Sequence, residues 1–140
     1  MNKIKSDAGV VTGDYRDKLS FNLAIVNYRD GKETVIFCPA LDLCAVGSDL
    51  KVAEKEFKEL MALYLEETEE FGTLKNDLER LGWQFEPTKI SPPKITKLIS
   101  SNPLFRKVLS SSSYTSRHKQ VYLPAIFNGN NNPQYSSVGV

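Results

Sequence analysis

TVIFCPALDLCAVGSDLKVAEKEFKELMALYLEETEEFG, residues 34–72, decides the fold. It opens on β-branched and aromatic residues, breaks at Pro39, resumes as LCAVG over 43–47, and then changes to helical spacing. Proline lacks the N–H that a ladder needs, so Pro39 ends the first run as a strand. Ser48-Asp49 supplies N-cap oxygens. From Leu50 to about Phe71, the residues Ala53, Phe57, Leu60, Tyr64 and Phe71 recur three, four or seven apart, an apolar stripe that Met61 and Leu63 widen. Lys51, Lys55, Glu56, Lys58, Glu59, Glu66 and Glu67 fall on the opposite face. About 22 residues at 1.5 Å each make a rod of roughly 33 Å, long enough to cross a three- or four-stranded sheet.

Upstream, LSFNLAIVNY (19–28) alternates, with Leu19, Phe21, Leu23 and Ile25 on one face, as a half-buried strand requires. Asp30-Gly31 predicts a tight turn into ETVIFC (33–38), because glycine tolerates positive φ. Downstream, Gly72 breaks the long helix and Thr73 caps a short one with Leu74, Leu78 and Leu81 aligned. Trp83-Gln84-Phe85 reads as a fourth strand, with Trp83 and Phe85 on the core side. Pro87, Pro92 and Pro93 mark a connector. Residues 95–109 are helical in pattern but split at Asn102-Pro103. SSSSYTS (110–116) reads as a loop and RHKQVYL (117–123) as a last strand.

The order βββα, then α and β, predicts an α+β fold. The expected layout is a three- to four-stranded, mainly antiparallel sheet with helices on one face. One long helix packs across it, with a short second helix and an irregular helical C-terminal extension. Residues 1–18 read as a flexible segment and 19–86 as the α+β domain. Residues 87–127 read as a basic extension packing on or beside that domain, and 128–140 as a disordered tail.

A hydrophobic fraction of 41% with 25% charged residues places the chain among soluble globular proteins. No apolar run reaches the ~18 residues of a membrane span. MNKIKSDAGVVTG has no apolar h-region of a secretory signal. Two cysteines are too few for a disulfide framework, so the expectation is a cytoplasmic protein with Cys38 and Cys44 reduced. The net charge of +1 conceals a polarity: +1 over residues 1–18, −7 over 19–86 and +7 over 87–140, where no acid occurs. Such asymmetry points to charged partners, or to a basic segment packed on an acidic body.

Catalytic chemistry finds little support. His118, the lone histidine, lacks a nearby carboxylate or cysteine and reads as a solvated residue. One histidine and a C-x5-C pair do not make a zinc site. Cys38 and Cys44, facing each other across the second turn, read as small buried hydrophobes rather than a redox pair. There is no phosphate-binding glycine loop. A two-metal nuclease needs clustered acids, and Asp42 is the one acid placed at a sheet edge. No cofactor, metal or small-molecule substrate is expected.

The stretch Thr34–Trp83 resembles the HicB-like antitoxin family. The matching features are the strand before Pro39, the ALDLC segment with Cys44, and Gly47 closing the third strand. The capped helix with Ala53 and Phe57 also matches, as does T-L-x-x-D-L-x-x-L-G-W from Thr73 to Trp83. With the preceding strand pair, the resemblance covers roughly residues 19–86. It implies a partial RNase H-like fold without the nuclease acids, and a protein that neutralises HicA-type toxins, small basic proteins that cleave mRNA. It also implies oligomerisation and, in many members, binding of operator DNA. The chain departs from the pattern at Asp49-Leu50-Lys51-Val52, where the family runs acidic, and its C-terminal third carries no DNA-binding motif.

The expected partner contacts are therefore Asp42, Glu56, Glu59, Glu66 and Glu67, facing a basic toxin. Lys94, Lys97, Arg106, Lys107, Arg117 and Lys119 are the candidates for operator phosphates. A homodimer through an edge strand such as 33–38 completes the expected partners.

Overall fold

The computed structural model describes residues 18–87, 89–111 and 113–124. Nearly all of the expected flexible segment 1–18, and the whole expected tail 128–140, lie outside the described residues. The elements are β1 (Lys18–Asp30), β2 (Glu33–Cys38), β3 (Leu43–Gly47), α1 (Leu50–Glu70), α2 (Leu74–Arg80), β4 (Gln84–Glu86), β5 (Lys89–Ser91), α3 (Ile95–Ser101), α4 (Pro103–Ser110) and β6 (Tyr114–Pro124). The fold is α+β, built on a four-stranded antiparallel sheet in the order β3-β2-β1-β6.

Strand alternation divides the sheet into two faces. Leu19, Phe21, Leu23 and Ile25 share one face with Ile36, Cys38, Ala45, Val121 and Leu123, all of them buried. α1 crosses this face from Gly47 onward. Asp49 Oδ1 accepts from the Val52 N–H at 2.9 Å, so the expected N-cap is present. Trp83 reaches the same face. Its ring meets Phe21 edge-on, with centroids 5.1 Å apart, and its Nε1 donates to the Ala40 carbonyl at 2.8 Å. Gly82, at φ +103, delivers it there: the Trp83 N–H donates to the Leu78 carbonyl, closing α2 in the reversed turn that left-handed backbone allows.

Helices cover both faces, not one. Phe37 and Val26 point away from α1, and Phe105 of α4 packs edge-on against Phe37, centroids 6.5 Å apart. The sequence hides this because 95–109 carries an apolar stripe that says it packs, without saying on which side. Asn102-Pro103 divides the segment as expected: Asn102 Oδ1 caps α4 through the Phe105 N–H at 3.0 Å, and Pro103 occupies its first turn.

Further expectations change. Gln84 and Phe85 do form a strand, but β4 pairs with β5 in a separate two-stranded ribbon. The fourth strand of the main sheet is β6, which begins at Tyr114 and not at Arg117. Its pairing with β1 runs unbroken from Tyr28↔Tyr114 to Lys18↔Pro124 and draws the predicted loop residues into the ladder. That pairing also places Lys18 in β1 and part of the basic extension in the same sheet as residues 19–86. β2 is interior, so 33–38 has no open edge for a dimer; β3 and β6 are the edges among the described residues. Phe71 and Leu63, expected in the stripe of α1, are exposed, Phe71 at 71%. α1 buries Ala53 and Phe57, and in its later turns Leu60, Met61, Tyr64 and Leu65 are only partly buried against the core. Thr73 occupies the N-cap position of α2, but its side chain makes no capping bond.

Candidate functional site

α1, lying on the sheet, and β6, its edge strand, flank an open groove of about 440 Å³. Ile36 and Phe57, both buried, form its floor. Lys51, Lys55 and Lys58 line the α1 wall at spacings of four and three, which places them in one row. Arg117 and Lys119 line the β6 wall two residues apart, so the pleat turns both toward α1. One carboxylate, Glu54, lies among these five cations. It pairs with Arg117 Nη2 at 3.4 Å, both side chains well exposed at 45% and 37%. Such a surface pair contributes under about 1 kcal/mol. Lys51, Lys55, Lys58 and Lys119 have no ion-pair partner among the described residues.

The structure therefore separates the expected phosphate contacts. Arg117 and Lys119 join the groove. Lys94 and Lys97 stand at the start of α3, with Lys97 against Gly82. Arg106 Nη1 donates to the Ile99 and Ser100 carbonyls at 3.0 and 2.9 Å, sealing the end of α3, and Lys107 occupies the last turn of α4. His118, between Arg117 and Lys119, points to the opposite face and is exposed. The sequence shows the three α1 lysines only as part of a mixed face shared with Glu56, Glu59, Glu66 and Glu67. The signal was a row of one sign at helical spacing matched by two cations at strand spacing. Only the sheet order brings the two rows together.

The acidic candidates lie elsewhere. Glu56, Glu59, Glu66 and Glu67 are exposed on α1. At about 100° per residue Glu56 and Glu67 turn away from the row of lysines, whereas Glu59 and Glu66 flank Lys55; none of the four lines the groove. The first turn of α1 holds no acid and its last turn no base. Lys51 at the N-terminal end and Glu66, Glu67, Glu69 and Glu70 at the C-terminal end both oppose the helix dipole. Asp42 occupies the β2–β3 turn at φ 55, exposed.

The remaining titratable groups are structural. The Tyr64 hydroxyl donates to Asp77 Oδ2; burial first, then that bond, raises its pKa. That bond joins α1 to α2, and within α2 Asp77 also accepts from Arg80 Nη2 at 2.6 Å. Cys38 and Cys44 do not face each other. Cys38 pairs with Leu43 and Cys44 with Phe37, so their side chains leave opposite faces of the sheet. Cys38 is buried, which pushes its thiol up to about 12; Cys44 is exposed. No group of three or more His, Cys, Asp or Glu able to hold a metal ion occurs among the described residues. None of their helices is long and apolar enough to cross a membrane.

Comparison with protein-family models, with curated proteins and with solved structures finds no match to this chain.

Proposed function

We propose that the chain is a HicB-like antitoxin: a cytoplasmic, non-catalytic protein that captures and neutralises a small basic HicA-type mRNA-cleaving toxin. The observation that carries this reading is the exposed carboxylate array of α1, set against the helix's own dipole. Each end charge of the wrong sign lowers helix stability by about 0.3–1 kcal/mol. The pattern therefore serves the surface and not the helix. A cationic partner approaching Glu56, Glu59, Glu66 and Glu67 meets an attractive field, which steers encounter and disfavours acidic competitors. Asp42 is the remaining candidate contact, at the end of the sheet. The resemblance over Thr34–Trp83 supports the same reading, since those residues build β2, β3, α1, α2 and the Trp83 anchor.

The test is coexpression with the product of each neighbouring reading frame that encodes a small basic protein, followed by size-exclusion chromatography. The expected result is a stable complex whose dissociation constant rises at least tenfold in E59K/E66K/E67K, with the far-ultraviolet circular dichroism unchanged. Two uncomplexed proteins, or a complex indifferent to the charge reversal, would overturn the proposal.

A further inference from the structure

We propose that the groove between α1 and β6 binds the phosphodiester backbone of a nucleic-acid strand, without reading its bases. The proposal rests on the groove's geometry, and none of the carboxylates assigned to toxin capture lines the groove.

Five cations face one carboxylate across this groove, and four of them lack an ion-pair partner among the described residues. Such an arrangement works against the free protein. Lys51 and Lys55 repel at a spacing of four, and both lie near the positive end of the helix dipole. Glu54, three residues from Lys51 and four from Lys58, and Glu59, four from Lys55, offset part of this repulsion but leave the groove itself with one carboxylate against five cations. A bound polyanion removes the repulsion and releases its own counterions.

The layout suits a linear ligand over a compact one. Lys51, Lys55 and Lys58 span seven residues, about 10 Å along the helix. Arg117 and Lys119 lie about 7 Å apart along the facing strand. Two opposed rows fit repeated phosphates along a chain; a single small anion needs donors that converge on one point. The walls present charge and no exposed aromatic side chain, and the one aromatic present, Phe57, is buried in the floor. Bases therefore find neither a stacking platform nor an array of edge-reading donors. An acidic peptide is the less suited polyanion, because extended peptides are held by side-chain pockets beside the charges and the walls offer none.

The experiment is fluorescence anisotropy of the full chain with labelled homopolymeric uridine and thymidine strands, duplex DNA, and a polyglutamate of matched charge. With about four net cations engaged, single-strand affinity falls roughly fifty-fold between about 50 and about 200 mM salt. The variant K51Q/K55Q/K58Q loses at least tenfold in affinity at the lower salt. K94Q/K97Q/K107Q, outside the groove, changes it less than threefold. Tighter binding of the uridine or the thymidine strand would name RNA or DNA as the source, and either supports the site. Polyglutamate binding as tightly as the nucleic acids would overturn the proposal in favour of an acidic protein. So would equal damage from the two variants, or no binding at the lower salt.

Discussion

Gly47 sits where β3 gives way to α1, and the backbone of the helix presses on it. A Cβ there would lie 2.4 Å from the Ala53 nitrogen and 2.8 Å from its Cα. Both are backbone atoms of a capped helix, so neither moves easily. Gly47→Ala is expected to destabilise the fold by about 1–3 kcal/mol, the usual cost of overpacking, read as a lower midpoint in thermal or denaturant unfolding. Ala53, fully buried opposite, is small for the same reason. The two cysteines give a second prediction at this scale. A thiol reagent should modify Cys44 alone in the native protein and both cysteines after unfolding. The raised pKa of Cys38 adds an alkaline limit. Its folded thiol keeps its proton while the unfolded one loses it, so its contribution to stability is constant below pH 9.0 and falls as pH rises toward about 12. Tyr64, raised by burial and by Asp77, adds to the fall in the same direction. A pH series of unfolding midpoints that stayed flat into that range would contradict the burial of both groups.

α1 shows how an element can be stable locally and costly at its ends. The Asp49 cap, and the bond from the Thr73 N–H to the Thr68 carbonyl at 2.9 Å, fix where it starts and stops. Its core contacts come from Ala53 and Phe57, while Glu69 and Glu70 lie exposed against the negative end of the dipole. E69K/E70K is therefore expected to raise stability by about 0.3–1 kcal/mol per site, seen as an upward shift in the unfolding midpoint that shrinks with added salt. β6 carries the complementary lesson. Arg117 and Lys119 lie on an edge strand, where charge also discourages edge-to-edge pairing with other chains. Their helical counterparts on α1 have no such reason to be basic, which is why the groove, and not the strand alone, points to an anionic ligand.

The molecule closes only when its last strand meets its first. β1 pairs with β6 along eleven residues, joining positions about a hundred apart in the chain, and Leu123 and Val121 complete the face that holds Leu19 and Phe21. On the other face, Phe105 and Val108 of α4 cover the sheet that would otherwise expose Phe37 and Val26. A fragment of residues 19–86, the span that carries the family resemblance, is therefore expected not to fold cooperatively on its own. It should give poorly dispersed amide resonances and bind a hydrophobic dye, whereas the full chain should unfold in one transition. A well-dispersed spectrum from the fragment would contradict the coupling between β6 and the rest of the sheet.

The sequence by itself determined the elements. Alternation at 19–25, the break at Pro39, the Asp49 cap, the stripe from Ala53 to Tyr64 and the Asn102-Pro103 division are signals spanning a few residues, and local sterics and hydrogen bonding act over that range. It also marked Arg117 and Lys119 as candidate contacts and placed the lysines of α1, with its glutamates, on the face opposite the apolar stripe. Tertiary structure decided the rest: that β6 lies beside β1, that α4 covers the second face, that β4 leaves the main sheet, and that Cys38 and Cys44 point apart. Above all, it brought the helix lysines within reach of the strand cations. A strand's neighbour and register are set by hydrogen bonds to distant residues, and periodicity shows which face of an element is buried without naming what lies against it.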